Sequence, residues 1–106
     1  MSIIHVTKDN FNDEVLKSSV PVIADFWADW CAPCRMLAPV FEDLSAKMKN
    51  VKFVKINVDK EPTLGQMFGV MSIPTILVFK KGAEAKRFMG FMPQAMLQKK
   101  IEDAIA

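Results

Sequence analysis

The segment from Val20 to Ala28 is apolar almost throughout and carries a single charge, Asp25. A run of this kind is typical of a strand that is covered on both faces. It is far shorter than the ~20 apolar residues that span a bilayer. The segment therefore predicts a central strand that lies between two layers of helix.

Segments on either side of this run alternate between strand and helix patterns. The strand patterns are Ile3–Val6, Lys52–Val58, Thr75–Phe79 and Glu84–Met89. Four helix patterns accompany them. The first helix has Phe11, Val15 and Leu16 on its apolar side, and the second has an apolar stripe of Leu37, Val40, Phe41, Leu44 and Met48. A short third helix is expected around Pro62–Phe68, and the buried side of the last helix is Leu97, Ile101, Ala104 and Ile105. The order βαβαβαββα predicts an α/β fold whose mixed central sheet carries helices on both faces.

Local signals mark where these elements begin and end. Thr7 or Asp9 is expected to cap the first helix, and Pro93 to lie in the first turn of the last one. Pro39 falls inside the long helical stripe and predicts a kink there. The segment Lys80–Ala83 is expected to turn the chain between the last two strands, as a hairpin.

Length and composition exclude several classes of protein. The 106 residues suffice for one domain, 1–106, and 51% of them are apolar, which provides a core. The net charge is +2 with both signs spread along the chain, which gives no case for a nucleic-acid or membrane partner. Charges near the start, such as Lys8 and Asp9, interrupt any apolar secretory segment. We expect a soluble, cytoplasmic protein.

The two cysteines, Cys31 and Cys34, stand three positions apart where the central strand gives way to a helix. Side chains at this spacing on a helical turn lie ~5–6 Å apart, so a disulfide can open and close with little backbone movement. Unpaired N–H groups in the first turn favour a thiolate at the leading sulfur. The pattern predicts a redox-active pair.

Two other roles for the cysteines fit the sequence less well. A zinc site needs four ligands, and the other soft donor, His5, is distant in sequence, so a metal would have to be shared between chains. A structural disulfide that closes so small a loop would stabilise the fold little. We expect no metal ion and no cofactor.

The segment around the cysteine pair resembles the active site of thioredoxins. The matching positions are Asp25–Met36, Pro39, Lys55–Asp59, Ile73–Thr75, Gly82 and Gly90, in order and at the family's spacing over essentially the whole chain. The resemblance implies the thioredoxin fold. It also implies a thiol-disulfide oxidoreductase that reduces protein disulfides and is recharged by a thioredoxin reductase.

The resemblance further implies a role for each residue of the centre. Cys31 attacks the substrate disulfide, and Cys34 then resolves the mixed disulfide. Asp25 is the expected proton acceptor for Cys34, because an acid in an apolar strand has a raised pKa. An ion pair between Asp25 and Lys55 is an alternative for the same carboxylate and is compatible with that role.

Residues next to the cysteines are expected to tune the redox chemistry. Pro33 restricts the backbone between the two sulfurs. Ala32 stands where thioredoxins usually have Gly and stiffens the same backbone. Arg35 stands where they often have Lys and keeps a positive charge beside the thiolate. Lys55 completes the set of tuning residues.

Four residues are expected to bind substrate: Trp30, Ile73, Pro74 and Gly90. The family resemblance indicates a cis bond between Ile73 and Pro74, close to the cysteines, with the backbone of Ile73 pairing with an extended substrate segment. Three methionines flank these loops, Met71, Met89 and Met92, and some of them are expected to form a soft apolar rim around Cys31.

Three functions of different classes follow. The leading one is a monomeric electron donor that serves disulfide-containing client proteins and is recharged by thioredoxin reductase. The second is a disulfide oxidant or isomerase on the same fold, although the absence of His between the cysteines favours a reductant. The third is an adaptor whose cysteines are incidental.

Overall fold

A computed structural model describes residues 3–106 and contains one mixed sheet of five strands, in the order β1-β3-β2-β4-β5. The strands are β1 (Ile3–His5), β2 (Val22–Trp27), β3 (Lys52–Asn57), β4 (Thr75–Lys80) and β5 (Ala83–Met89). The helices are a π-helical turn (Asn12–Leu16), α1 (Ala32–Lys47), α2 (Pro62–Met67) and α3 (Gln94–Ile105). The α/β fold and the order of elements are as predicted.

Strand β2 occupies the centre of the sheet, paired in parallel with β3 and antiparallel with β4. Its residues Val22 to Phe26 are all buried, as the apolar run predicts. The predicted strand was too long at its start, because Val20 is 39% exposed and precedes Pro21. Pro21 has no N–H to donate, and its carbonyl accepts a hydrogen bond from the Lys52 N–H at 2.9 Å, just before the first residue of β2.

Helices cover both faces of the sheet, as predicted. On one face α1 and α3 enclose a core that includes Ile23, Leu37, Phe41, Leu44, Phe53, Leu97 and Ile101. On the other face the π-helical turn and α2 enclose a second core that includes Phe11, Val15, Phe26, Val54, Ile56, Leu64 and Phe79. Alternate residues of β2 and β3 therefore enter opposite cores. No helix in the described part of the chain is long and apolar enough to cross a membrane.

The first helical segment departs from its prediction in its winding. The Lys17 N–H donates to the Asn12 carbonyl at 2.9 Å, which is the five-residue spacing of a π-helix. This wider turn keeps Phe11 and Val15 in the core and leaves Leu16 38% exposed. The predicted cap at Thr7 is present: its hydroxyl accepts from the Asp9 N–H at 3.2 Å and its carbonyl accepts from the Phe11 N–H at 2.9 Å, although the π-helical residues themselves follow Phe11 without a side-chain cap.

Other boundaries shift by a residue. Helix α3 begins at Gln94, with Pro93 as its N-cap rather than in its first turn. Helix α1 continues through Pro39 without a break, and the kink at that residue stays a prediction. The hairpin strands each extend one residue closer to the turn than predicted, which leaves the two-residue loop Lys81-Gly82.

This loop requires positive φ angles at both positions. Lys81 has φ +52° and Gly82 has φ +81°, the signature of a type I′ hairpin turn. A Cβ on Gly82 would lie 3.0 Å from the carbonyl oxygen of Leu16. Gly82 is therefore required both for its backbone conformation and for the space beside the π-helical turn.

Gly69 provides a matched control for Gly82, because it also has a positive φ (+61°) but has no atom within 4 Å of an added Cβ. We expect Gly69→Ala to lower the free energy of unfolding by about 1 kcal/mol, the cost of the left-handed conformation alone. Gly82→Ala should cost about 2 kcal/mol or more, since the contact with Leu16 adds to that cost. Urea unfolding measures both, and equal losses would contradict the contact.

Candidate redox site

The cysteine pair lies at the start of α1, immediately beyond the end of β2. Cys31 is the N-cap of the helix in an extended conformation, and its sulfur accepts a hydrogen bond from the Cys34 N–H at 3.2 Å. The two cysteines form a disulfide with a Cα–Cα distance of 5.2 Å. The N–H groups at the amino end of a 16-residue helix are thus directed at the leading sulfur, where they stabilise negative charge.

Both sulfurs are set into the surface rather than projecting from it. Cys31 is 4% exposed and Cys34 is 2% exposed, and both pack with Ala28 against Trp27, Val58 and Ile73. The intervening Ala32 and Pro33 are exposed. A partner sulfur can therefore approach Cys31 only along a restricted path, which selects for a particular alignment of the reacting sulfurs.

A loop before β4 forms the opposite side of the centre. The Ile73–Pro74 bond is cis, as predicted. The carbonyl oxygen of Ile73 lies 3.7 Å from the sulfur of Cys31. The Gly90 N–H donates to the Pro74 carbonyl at 2.8 Å, and Gly90 itself has φ +88°. Three of the predicted substrate-binding residues, Ile73, Pro74 and Gly90, are thus in one hydrogen-bonded unit beside Cys31.

Asp25 is fully buried on the face of the sheet that α1 covers. Within residues 3–106, neither of its carboxylate oxygens has a hydrogen-bond partner. Burial removes the charged form from water and raises the pKa of this carboxyl to about 7, against a smaller opposing effect of the Lys55 charge. Asp25 is therefore an acid that exchanges its proton near neutral pH.

Lys55 is the register partner of Asp25 on the neighbouring strand, as the strand pattern suggested. Its ammonium group lies 4.5 Å from the centre of the Trp27 ring, an arrangement that stabilises the cation on the aromatic face. Among the described residues no ion pair joins Lys55 to Asp25. The predicted ion pair is therefore wrong, because Trp27 holds the lysine headgroup instead.

A groove of about 410 Å³ extends from the centre towards α2. Its lining includes Trp30, Val58, Gln66, Val70, Met71 and Ile73. Trp30 is 68% exposed, and its indole N–H donates to the Asp59 carboxylate at 2.9 Å, which fixes the ring at the edge of the groove. The sequence analysis identified Trp30 and Ile73 as site residues but missed Val58. Ligand sites form at the carboxyl ends of parallel strands, and Val58 directly follows such a strand, so this rule could have found it.

The predicted methionine rim is only partly formed. Met71 is 94% exposed and lines the groove, and Met89 is 64% exposed at the end of β5. Met92 is 6% exposed and belongs to the core between α1 and α3. Met92 is therefore not one of the methionines that can form the rim, because the chain turns inward after Gly90 to begin α3.

Arg87 supports the groove from outside, a role that the sequence did not indicate. Its guanidinium donates to the carbonyls of Phe68 at 2.6 Å and Gly69 at 3.4 Å, where α2 ends and the loop that leads to the cis Ile73–Pro74 bond begins. A two-point contact with Glu84, at 2.8 Å for each hydrogen bond, orients the guanidinium. The same contact lowers the pKa of Glu84.

Arg35 does not reach over the cysteines. Its guanidinium donates to the backbone carbonyl of Asp29 at 2.8 Å and so ties α1 to the loop that precedes Cys31.

In the part of the chain that the structure describes, no cluster of three or more His, Cys, Asp or Glu side chains is arranged to hold a metal ion.

Comparisons with known proteins agree with this geometry. A family model described as Thioredoxin matches residues 2–103. The chain is 44% identical over 98 residues to the chloroplastic M-type thioredoxin of Chlamydomonas reinhardtii, covering 92% of this chain and 70% of that protein. It is 44% identical over 93 residues to thioredoxin 1 of Synechococcus elongatus, covering 87% of each, and 38% identical over 107 aligned positions to the thioredoxin of Porphyra purpurea, covering all of both.

The fold and the Cys31–Cys34 pair define a thiol-disulfide oxidoreductase with protein-disulfide reductase activity. The chain belongs to the thioredoxin family.

The buried carboxyl predicts an unusual dependence of stability on pH. The folded protein holds the Asp25 proton up to about pH 7, whereas the unfolded chain releases it near the ordinary value of 3.8. Between these values the folded state binds more protons, so the free energy of unfolding should fall as the pH rises and level off above pH 7. At 1.36 kcal/mol per pKa unit, the fall that Asp25 causes is roughly 4 kcal/mol.

Asp25→Asn isolates this contribution, because every other titrating group is common to both proteins. The stability of the variant relative to the unmodified protein, measured by urea unfolding of the oxidised forms, should increase from pH 4 to pH 7 and then stay constant. A difference that is the same at every pH would contradict a raised pKa.

Proposed function

We propose that Cys31 is the attacking residue and Cys34 the resolving residue of the disulfide reductase. The Cys31 thiolate attacks one sulfur of a client disulfide, and the other client sulfur leaves as a thiolate and takes a proton from water. The Cys34 thiolate then attacks Cys31, closes the Cys31–Cys34 disulfide and releases the second client thiolate. The second client thiolate also takes a proton from water, while the two cysteines have given up their own protons, so the client gains two electrons and two protons in total. The observation that carries this assignment is the position of Cys31 as the N-cap of α1.

Asp25 is proposed as the proton acceptor that activates Cys34. An acceptor must be ionised in part of the molecules and must be able to return the proton, which requires a pKa near the working pH. The pKa of about 7 and the lack of any hydrogen-bond partner for this carboxylate, among the described residues, support that role. Asp25 also shares a sheet face with α1, which carries Cys34.

The Ile73 backbone is proposed as the pairing edge for the client. Within residues 3–106 its N–H has no backbone partner, and its carbonyl contacts only the sulfur of Cys31. An extended client segment can form strand-like hydrogen bonds with these groups and bring its own cysteine to Cys31. Trp30, Pro74 and Gly90 would then flank the bound segment.

Four residues are proposed to tune the redox equilibrium. Ala32 and Pro33 limit the conformations of the turn between the sulfurs. Lys55 places a positive charge on Trp27, which packs against both cysteines. Arg35 fixes the preceding loop through the Asp29 carbonyl and contributes a positive charge at the start of α1.

Partners of this family are reductases and disulfide-containing clients in general. For this chain we propose recharging by a thioredoxin reductase and action as a monomer formed by one domain, 1–106. A dithiol donor must be kept reduced between turnovers, which favours the cytoplasm as its compartment. The redox titration of the Cys31–Cys34 pair distinguishes a donor from an oxidant or isomerase, since a donor has the lower potential.

Replacing each cysteine by Ser tests the order of the two steps. Cys34→Ser should attack a protein disulfide and stop at the mixed disulfide, because the resolving thiol is gone. Cys31→Ser should form no such adduct. Mass spectrometry after incubation of each reduced variant with an oxidised, insulin-type disulfide substrate detects the adduct as an added client mass that dithiothreitol removes.

Two results would contradict the proposed roles of the cysteines. An adduct on Cys31→Ser and none on Cys34→Ser would reverse the assignment of the two cysteines. If neither the unmodified protein nor either variant reduces the substrate or forms an adduct, the pair is incidental, as an adaptor requires.

A further inference from the structure

Met71 is the most exposed of the large apolar side chains in the described residues, at 94%. It lies in the loop between α2 and the cis Ile73–Pro74 bond and lines the groove beside Trp30. An apolar side chain with so little packing on its own protein contributes almost nothing to the stability of the fold. It is available to a partner instead.

Among residues 3–106, none of those that line this groove is charged, although a quarter of the chain is charged. Its polar members are the uncharged Gln66 and Ser72. A charged client side chain placed there would lose water without gaining a partner of opposite charge. The groove therefore fits an apolar side chain.

This groove is continuous with the redox centre. Ile73 contributes to its wall, and the Ile73 carbonyl lies 3.7 Å from the sulfur of Cys31. Trp30 contributes to the same wall and directly precedes Cys31 in the chain. A client segment that pairs with Ile73 and reaches Cys31 therefore lies beside this groove.

The spacing of an extended chain identifies which client residue the groove receives. Side chains two positions apart point to the same side of a strand and are about 7 Å apart. When the client cysteine points at Cys31, the side chain two positions away points into the groove. The side chain between them points away.

We propose that Met71 is a specificity-determining residue, which selects clients carrying a large apolar side chain two positions from the reacting cysteine. This inference rests on the proposed pairing of the client with Ile73. The unbranched thioether of Met71 adapts to apolar side chains of different shape, so the selection is for apolar size rather than for one residue type. The Trp30 ring, which is fixed by its hydrogen bond to Asp59, forms a rigid wall of the groove, and the client side chain would pack between this ring and Met71.

The probes are short peptides, each carrying one cysteine as a mixed disulfide with nitrothiobenzoate. Attack of Cys31 on the peptide sulfur releases the coloured thiolate, which is the better leaving group because of its low pKa. Peptides with Leu, Ser or Glu two positions from the cysteine differ in the side chain that would enter the groove. Leu is placed on either side of the cysteine in separate peptides, and second-order rate constants are measured with the reduced protein.

We expect the better of the two Leu peptides to react about ten-fold faster than its Ser counterpart, the discrimination expected of a partly enclosed apolar pocket. The Glu peptide should react no faster than the Ser peptide. Met71→Ser should reduce the Leu-to-Ser ratio to about three-fold, because part of the apolar wall is removed. Since Met71 is almost fully exposed, this variant should fold like the unmodified protein.

Two other exposed methionines serve as matched controls. Met67 is 60% exposed on α2 and does not line the groove, and Met96 is 51% exposed on α3. Met67→Ser and Met96→Ser should keep the Leu-to-Ser ratio of the unmodified protein. A similar loss in Met67→Ser would show that the effect is not specific to the groove and would overturn the inference.

Failure of the inference differs from failure of the proposed function. If the Leu and Ser peptides all react at one rate, the selection by Met71 is wrong while the reductase chemistry stands. If the reduced protein releases no thiolate from any peptide, although dithiothreitol does, both the proposed function and the inference are overturned.

Discussion

Burial of β2 on both faces is the constraint on which the redox centre depends. The strand lies between the two helical cores and is paired with a neighbour on each edge, so its carboxyl end has one defined position. The chain leaves that end and enters α1 within a few residues, which puts Cys31 at the N-cap and Cys34 in the first turn. The disulfide can therefore open and close on a scaffold that is already fixed by packing, and little reorganisation accompanies the chemistry.

The same burial accounts for the electrostatics of the site. A carboxyl in the middle of β2 has no access to water, and the nearest opposite charge is drawn to the Trp27 ring rather than to Asp25. The protein thus keeps an uncompensated acid in its interior at a cost in stability above neutral pH. Such a cost is understandable where the group moves a proton during the reaction. In the groove the situation is the reverse, because the apolar side chain of Met71 is exposed and makes its packing contacts only with a bound client.

Patterns within the chain were enough to predict the order of the elements, the two-sided core and the position of the cysteines. The errors arose where neighbours in space decide the outcome. Met92 is buried because the chain enters α3 on the inner face, and Leu16 is exposed because the turn before it is wound as a π-helix. Strand register put Lys55 beside Asp25 correctly, yet register does not fix the path of a long side chain. The support that Arg87 gives to the groove joins residues far apart in sequence, so no local pattern could indicate it.

The central claim is that Asp25 takes the proton of Cys34. Its most direct test is the rate at which Cys34 resolves a preformed mixed disulfide, followed by stopped flow across pH 5 to 9 in the unmodified protein, Asp25→Asn and Asp29→Asn. Asp29 is an exposed carboxylate close to Cys31 in sequence and controls for loss of charge. The rate in the unmodified protein and in Asp29→Asn should rise with an apparent pKa of about 7, while Asp25→Asn should be slower at neutral pH by about ten-fold or more and lose that transition. Identical profiles for the unmodified protein and Asp25→Asn would contradict the claim.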